Sequence, residues 1–151
     1  ALFETIKSSQ LKKINNPNIQ IKGSDKAPSA VEKALQNVEN ANLSDFVSIE
    51  KKDFFQVEKE TKGPLHLLTN PPYGERLEGD MNMLYQGIGD AFKQSFPNTQ
   101  AWMISSNMEA LKYVGLRPSR KIKLFNGKLE SRLLLYPIYE GTKRIHKLKD
   151  D

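Results

Sequence analysis

The 151-residue chain reads as an α/β protein built on a mostly parallel sheet, with an antiparallel β-hairpin near its C-terminal end. Two observations carry that expectation. Short apolar runs of strand length alternate with longer segments of helical period, the pattern of repeated βα units joined by right-handed crossovers. Beyond Lys121 the pattern changes to two strand-like runs, Lys121 to Phe125 and Leu129 to Tyr139, on either side of Asn126-Gly127, a strong hairpin signal.

Taken in order, Phe3, Ile6, Leu11 and Ile14 recur at loosely helical spacing until Asn15-Asn16-Pro17-Asn18 stops the helix. Ile19 to Lys22 alternates as a strand and runs into Gly23-Ser24-Asp25. The following helix has Pro28 in its first turn and the capping-box spacing of Ser29 and Glu32. Its apolar face is Ala30, Val31, Ala34, Leu35, Val38 and Ala41. Phe46 to Ile49 is the next strand, and Asp53-Phe54-Phe55 lies beyond its end. Residues 56 to 64 are polar and close in Gly63-Pro64, so they form a loop.

Leu65 to Leu68 is a short buried strand, and Met81 to Phe96 an amphipathic helix with Met81, Leu84, Tyr85, Ile88, Ala91 and Phe92 on one face. Gly87-Ile88-Gly89 lies inside that helix without a third glycine, so it is a packing feature rather than a phosphate-binding loop. Ala101 to Ile104 is another strand. Asn107 then caps a short helix through Val114, with Gly115 as its stop.

Composition narrows the function classes. The absence of cysteine excludes disulfides and thiolate metal sites and suits a reducing compartment. No apolar run is long enough to span a bilayer. His66 and His146 share no metal-ligand spacing, and no Walker loop or nucleophilic triad can be assembled, so no metal is expected. From Lys112 to Asp151 there are 11 Lys or Arg against 4 Asp or Glu, whereas residues 1 to 111 hold 12 against 14. That C-terminal excess is either a solvated basic surface or a platform for a polyanion, with Arg117, Arg120, Lys121, Lys123 and Lys128 as its folded part.

The chemistry concentrates in Thr69-Asn70-Pro71-Pro72-Tyr73-Gly74, the loop between the apolar run Leu65 to Leu68 and the helix that follows. In open α/β sheets ligands bind at such loops, beyond the carboxyl ends of strands. Two prolines stiffen the loop and remove two backbone donors. What remains is a row of acceptors, the Asn70 side-chain oxygen and the carbonyls, beside the ring of Tyr73. A nucleobase could stack on that ring and donate its exocyclic N–H groups to those acceptors.

Asp25 and Asp53 each follow a strand, and on one parallel sheet they would share a rim with Asn70. Such an acid accepts hydrogen bonds from a ribose, although Asp25 also suits a helix entry and Asp53 a turn. Phe54 and Phe55 suit a purine or the core. Arg76, beside Glu75 and Glu78, suits a substrate contact or a local surface ion pair.

The series Gly23-Ser24-Asp25, Ala30-Val31 with Ala34 and Asn37, Asp53-Phe54 and Asn70-Pro71-Pro72-Tyr73-Gly74-Glu75-Arg76-Leu77 resembles the class I S-adenosylmethionine-dependent methyltransferases. Within them it most resembles the catalytic domain of bacterial 23S ribosomal RNA guanine-N2 methyltransferases that carry an RNA-binding THUMP domain upstream. The resemblance runs from about Ile19 to Tyr139, and the extension to Gly-Glu-Arg-Leu narrows it within the amino-methylating enzymes. It implies a Rossmann-like sheet, S-adenosylmethionine as cofactor, 23S ribosomal RNA or a ribosomal precursor as partner, and a cytoplasmic setting.

By the same resemblance Asp25 would hold the cofactor ribose and Asp53 its adenine amino group, with Phe54 near the adenine ring. Asn70 and the Pro71 carbonyl, in the stiff turn made with Pro72, would accept the target amine and adjoin the cofactor. Tyr73 would stack on the flipped base, and Arg76, Arg120, Lys121 and Lys123 would contact RNA. The family's first motif, a strand ending in Asp and a glycine-rich turn, has no counterpart in this chain, and in the family its strand lies between those ending at Asp25 and Asn70. The expected organisation is therefore a helical remnant over residues 1–16, a partial catalytic domain over 17–140 and a basic, polar tail over 141–151. The chain alone is expected to bind the cofactor weakly and to be inactive. Adenine-N6 methylation of DNA is the alternative within the enzyme class, and a non-catalytic nucleic-acid-binding module the alternative outside it.

Overall fold

The computed structural model describes residues 1–72 and 78–141. The chain divides into two compact units, Ala1–Phe54 and Phe55–Asp151.

The first unit holds α1 (Leu2–Leu11), β1 (Ile21–Asp25), α2 (Pro28–Asn40) and β2 (Val47–Lys51). β1 and β2 pair in parallel, with Ile21 opposite Val47 and Asp25 opposite Lys51, so α2 is the crossover of a βαβ unit. Val31 is the buried residue of α2. The N-cap is Ala27 with Pro28 at the first helical position, so the expected Ser29–Glu32 capping box is not what starts this helix. The physical reason lies one turn upstream. Asp25 Oδ1 accepts the Ala27 N–H at 2.7 Å and shapes the entry turn, leaving Ser29 already inside the helix. At the other end Asn42 adopts φ +57°, the Leu43 N–H reaches back to the Val38 carbonyl, and the Asn42 N–H donates to Glu39, which together satisfy the last carbonyls of α2. α1 buries none of its residues, and Phe3 is 72% exposed.

The second unit holds β3 (Leu65–Thr69), α3 (Glu78–Ser95), β4 (Thr99–Ser105), a 3-10 segment (Ala110–Val114), β5 (Arg120–Asn126) and β6 (Leu129–Ile138). Its four strands lie in the order β3-β4-β6-β5, with β3 and β4 parallel and the two pairings of β6 antiparallel. The architecture is thus α/β, with parallel βα pairings closed by a C-terminal antiparallel hairpin as the sequence implies. The strands occupy two sheets rather than one, because among the described residues β1 pairs only with β2 and β3 only with β4.

The core of this unit lies on one face of its sheet. Ala101, Met103 and Ser105 of β4 and Leu134 and Tyr136 of β6 are buried, as are Met81, Tyr85, Ile88 and Phe92 of α3 and Phe96 just beyond it. Phe92 meets Tyr136 with ring centroids 6.0 Å apart. The opposite face is more open, and Leu68 is 71% exposed there.

Local chemistry sets the joints. Asn107 Oδ1 accepts the Ala110 N–H at 2.9 Å from the turn before the 3-10 segment, whose N-cap position is held by Glu109, and Gly115 at φ +69° ends the segment as expected. Lys59 ties the long loop after β2 to the end of α3, its ammonium donating to the carbonyls of Pro97 at 2.9 Å and Asn98 at 2.8 Å. The hairpin turns one residue later than its dipeptide suggests. Asn126 pairs with Leu129, which makes Gly127, at φ +61°, and Lys128 the two central residues. Glycine comes first in that loop because its backbone conformation disfavours a side chain.

Gly89 marks the closest approach. A Cβ built there would lie 1.7 Å from the Val114 carbonyl oxygen, a backbone atom that cannot swing aside. Gly89→Ala should therefore cost about 1 to 3 kcal/mol by overpacking, read as a lower urea midpoint, and an unchanged midpoint would show that α3 and the 3-10 segment can separate freely.

A second prediction concerns alkali. Burial, and after it the neighbouring Tyr85 phenol, push the Tyr136 hydroxyl from its ordinary value of 10.0 up to about 12. The buried neutral phenol therefore contributes fully below pH 10, and its contribution is lost as pH rises toward 12, a change on the order of 2 to 3 kcal/mol. Urea midpoints compared at neutral and strongly alkaline pH should fall further for the wild-type chain than for Tyr136→Phe, and equal falls would remove Tyr136 as the cause.

Candidate functional site

β3 ends at Thr69, and the chain passes into Asn70-Pro71-Pro72 at the carboxyl end of a strand that lies parallel to β4. Asn70 and Pro72 are exposed, while Pro71 is buried. The burial of Pro71 fixes the turn and leaves the Asn70 side chain at the surface, where its amide oxygen can serve as an acceptor. Tyr73 and Arg76, expected respectively to stack on a base and to touch RNA, lie outside the described residues, as does the tail from Thr142.

The loop is held from behind. Tyr85 on α3 is fully buried, and its hydroxyl donates to the Pro72 carbonyl at 3.3 Å while lying 2.6 Å from Ser105 Oγ at the end of β4. Ser105 Oγ accepts the Asn107 N–H at 3.0 Å. Neither Tyr85 nor Ser105 was singled out by sequence as a site residue. The available signal was a tyrosine on a core-facing helical stripe, since a buried phenol needs a hydrogen-bond partner.

In the first unit Asp25 and Asp53 stand at the carboxyl ends of neighbouring parallel strands. Asp25 closes β1 opposite Lys51, two residues before Asp53, and the Asp25 carbonyl accepts the Lys52 N–H at 3.0 Å. Asp25 is exposed, whereas Asp53 and Phe54 are half-buried, with Phe54 opening a 3-10 turn over Phe54–Gln56. The structure thus groups Asp25 with Asp53 in one unit and Asn70, Pro71 and Pro72 with Tyr85 and Ser105 in the other.

Arg120, Lys121 and Lys123 all lie exposed on β5. The register separates them. Lys121 and Lys123 share a face with Phe125, opposite Leu134, Arg132 and Glu130, whereas Arg120 alternates to the other face, opposite Leu135. Lys123 is the one of the three nearest the loop end of the sheet, since its partner Arg132 is itself opposite Ser105. Its ammonium lies 6.0 Å from the Phe125 ring and pairs at 3.3 Å with Glu130, which also pairs with Arg132. Partial burial pushes the Glu130 carboxyl up, but hydrogen bonds and charge from Arg132 and Lys123 outweigh it and hold the group below its ordinary 4.5. Cations on an edge strand also block edge-to-edge pairing, so this row has a structural use of its own.

Parallel βα units with acids and an acceptor loop at strand ends define the Rossmann-like class of nucleotide-handling α/β domains. More particularly, the chain belongs to the UPF0020 family, the RMKL-like methyltransferase domain, whose model matches residues 2–134. It is 34% identical over 133 residues to the ribosomal RNA large subunit methyltransferase K/L of Cellvibrio japonicus (strain Ueda107), a match covering 85% of this chain and 17% of that protein. The chain therefore spans about a sixth of that relative's length. Among solved structures it is similar to a possible methylase from Clostridium difficile 630, with a TM-score of 0.79, 28% identity and coverage of 92% of this chain and 37% of the other. It also shares the fold of SMU.472, solved complexed with SAH, with a TM-score of 0.76, 24% identity and coverage of 89% and 36%. No helix among the described residues is long and apolar enough to cross a membrane.

The Glu130 arrangement makes a prediction independent of catalysis. Glu130→Gln removes the anion between two cations, so the variant should elute from immobilised heparin at higher salt than the wild-type chain. Identical elution would show that Lys123 and Arg132 do not face a bound polyanion.

Proposed function

We propose that this chain is the C-terminal part of an enzyme that methylates the exocyclic N2 amine of a guanine in 23S ribosomal RNA, with S-adenosylmethionine as donor. The observation that carries the reading is the Asn70-Pro71-Pro72 turn, rich in acceptors and poor in donors, at the carboxyl end of a parallel strand in a chain of the methyltransferase-domain family. The name of its Cellvibrio relative favours ribosomal RNA over DNA as substrate.

The acidic pair fits the adenosine part of the donor. Asp25, one oxygen of which is held by the Ala27 N–H, presents a fixed carboxylate suited to ribose hydroxyls. Asp53 suits the adenine amino group and Phe54 its ring. When bound, the donor supplies a methyl group made electrophilic by a sulfonium.

Asn70 and the Pro71 carbonyl act on the other reactant. A guanine amine is a poor nucleophile because its lone pair is delocalised into the ring. Two acceptors that take its two hydrogens favour a pyramidal nitrogen with the lone pair directed outward. Tyr73 stacks on the extruded base and sets its plane. Arg76, Lys121 and Lys123 hold the flanking phosphates, with Arg120 serving the opposite face of the hairpin. Catalysis by such residues is positional, a contribution of up to roughly 7 to 11 kcal/mol when the geometry is ideal, and no strong base is needed before attack.

The decisive experiment is methyl transfer to ribosomal RNA by the full-length protein and its Asn70→Ala variant. Loss of one acceptor aimed at the reacting nitrogen should lower the turnover rate by at least about 100-fold, the scale seen when one preorganised hydrogen-bond partner is removed. Undiminished turnover would exclude Asn70 from the reaction, and transfer to adenine in DNA rather than to guanine in RNA would replace the substrate assignment.

A further inference from the structure

Consecutive prolines give the Asn70 loop a supply problem. Neither Pro71 nor Pro72 has an N–H, so the loop cannot tie itself down through its own backbone donors. Pro72 is exposed, yet its carbonyl points back to the hydroxyl of Tyr85, a residue with no solvent exposure. The proton assignments follow from what each group can do. The carbonyl only accepts, so in that bond the Tyr85 hydroxyl is the donor. With the Tyr85 proton on that carbonyl, Ser105 Oγ, at 2.6 Å, is placed to donate to Tyr85 while accepting the Asn107 N–H at 3.0 Å. The result is a one-way relay, Asn107 N–H to Ser105 to Tyr85 to Pro72, in which each bond polarises the next.

We propose that Tyr85, seconded by Ser105, is a positioning residue that fixes the acceptors of the Asn70-Pro71-Pro72 loop against the target amine. The inference rests on the methyltransferase reading above. Three features point beyond packing. The relay ends on a loop carbonyl rather than on a helix or strand, and that carbonyl lies two residues from Asn70. Its anchors are the end of β4, the strand paired with β3, and the middle of α3, the helix that follows the loop. A phenylalanine would fill nearly the same volume at position 85, so the hydroxyl is separable from the ring. Water can serve an exposed Pro72 carbonyl in the hydroxyl's place, but it cannot hold that carbonyl at one position.

The test compares Tyr85→Phe and Ser105→Ala with wild type in the full-length protein, reading steady-state methyl transfer and hydrogen exchange together. Tyr85→Phe should lower kcat by about tenfold or more with KM for RNA within about twofold, since displacement of reacting partners costs rate rather than binding. Exchange should quicken in the peptide spanning Leu68 to Asn70 and remain unchanged in β4 and α3. Ser105→Ala should show the same pattern more weakly. Unchanged kcat in Tyr85→Phe overturns the positioning role and leaves the methyltransferase reading intact. A loss accompanied by faster exchange throughout β4 and α3 also overturns it, because the hydroxyl would then serve stability alone. Absence of methyl transfer in the wild-type protein overturns the methyltransferase reading, and this inference with it.

Discussion

A backbone that can accept hydrogen bonds but not donate them must be held by other parts of the chain. That constraint, imposed by Pro71-Pro72, organises much of the second unit. The donor has to come from a side chain long enough to reach the loop and stiff enough to hold it, and a tyrosine on the core face of α3 satisfies both requirements. A fully buried phenol in turn needs an acceptor for its proton and a donor for its lone pair, and β4 ends in Ser105 to provide the second. Ser105 is itself satisfied by Asn107, whose side chain accepts the Ala110 N–H at the start of the next 3-10 segment. That segment can sit against α3 because position 89 lacks a Cβ. Loop, helix, strand end and 3-10 segment are therefore linked through polar atoms as well as through apolar packing.

Charge follows a different logic. The basic excess of the C-terminal half does not gather into one uncompensated patch on the hairpin. Alternation sends Arg120 to one face and Lys121 and Lys123 to the other, and Glu130 is shared between Lys123 and Arg132. A carboxylate held below its ordinary range remains ionised at neutral pH, so it keeps these two cations ordered and moderates the local positive potential. For a polyanion this favours a defined arrangement of contacts over indiscriminate attraction.

Element order was largely legible because hydrophobic period is a local property. The strand ending at Asp25, the helix from Pro28, the strand before Asn70 and the final hairpin form within a few residues of where their patterns lie. The misreadings come from interactions that pattern cannot see. Asp25 took over the entry turn of α2 and displaced the Ser29 cap, and the pairing of Asn126 with Leu129 moved the hairpin turn to Gly127-Lys128. The division into two sheets depends on which strands find partners, a long-range property that a run of apolar residues does not encode. The site divides in the same way. Asn70, Asp25 and Asp53 could be named from their places after strands, but Ser105 gains its role only once β4 is in register and α3 turns Tyr85 toward it.

The two units stiffen their strand ends differently. At β1 the carboxylate of Asp25 both shapes the turn and stays exposed, so one oxygen provides rigidity while the group keeps its charge at the surface. At β3 rigidity comes from proline rings and from a hydroxyl donated from behind, which leaves the Asn70 amide neutral and exposed. That difference suits the chemistry each end is assigned. Ribose hydroxyls are well held by a charged acceptor, because strength of binding is what is required there. A weakly nucleophilic amine depends instead on acceptors held at fixed positions, since their placement sets the direction of its lone pair. The absence of backbone donors at Pro71 and Pro72 is then useful, for neither residue offers an N–H that could compete with the incoming amine for the acceptors that must orient it.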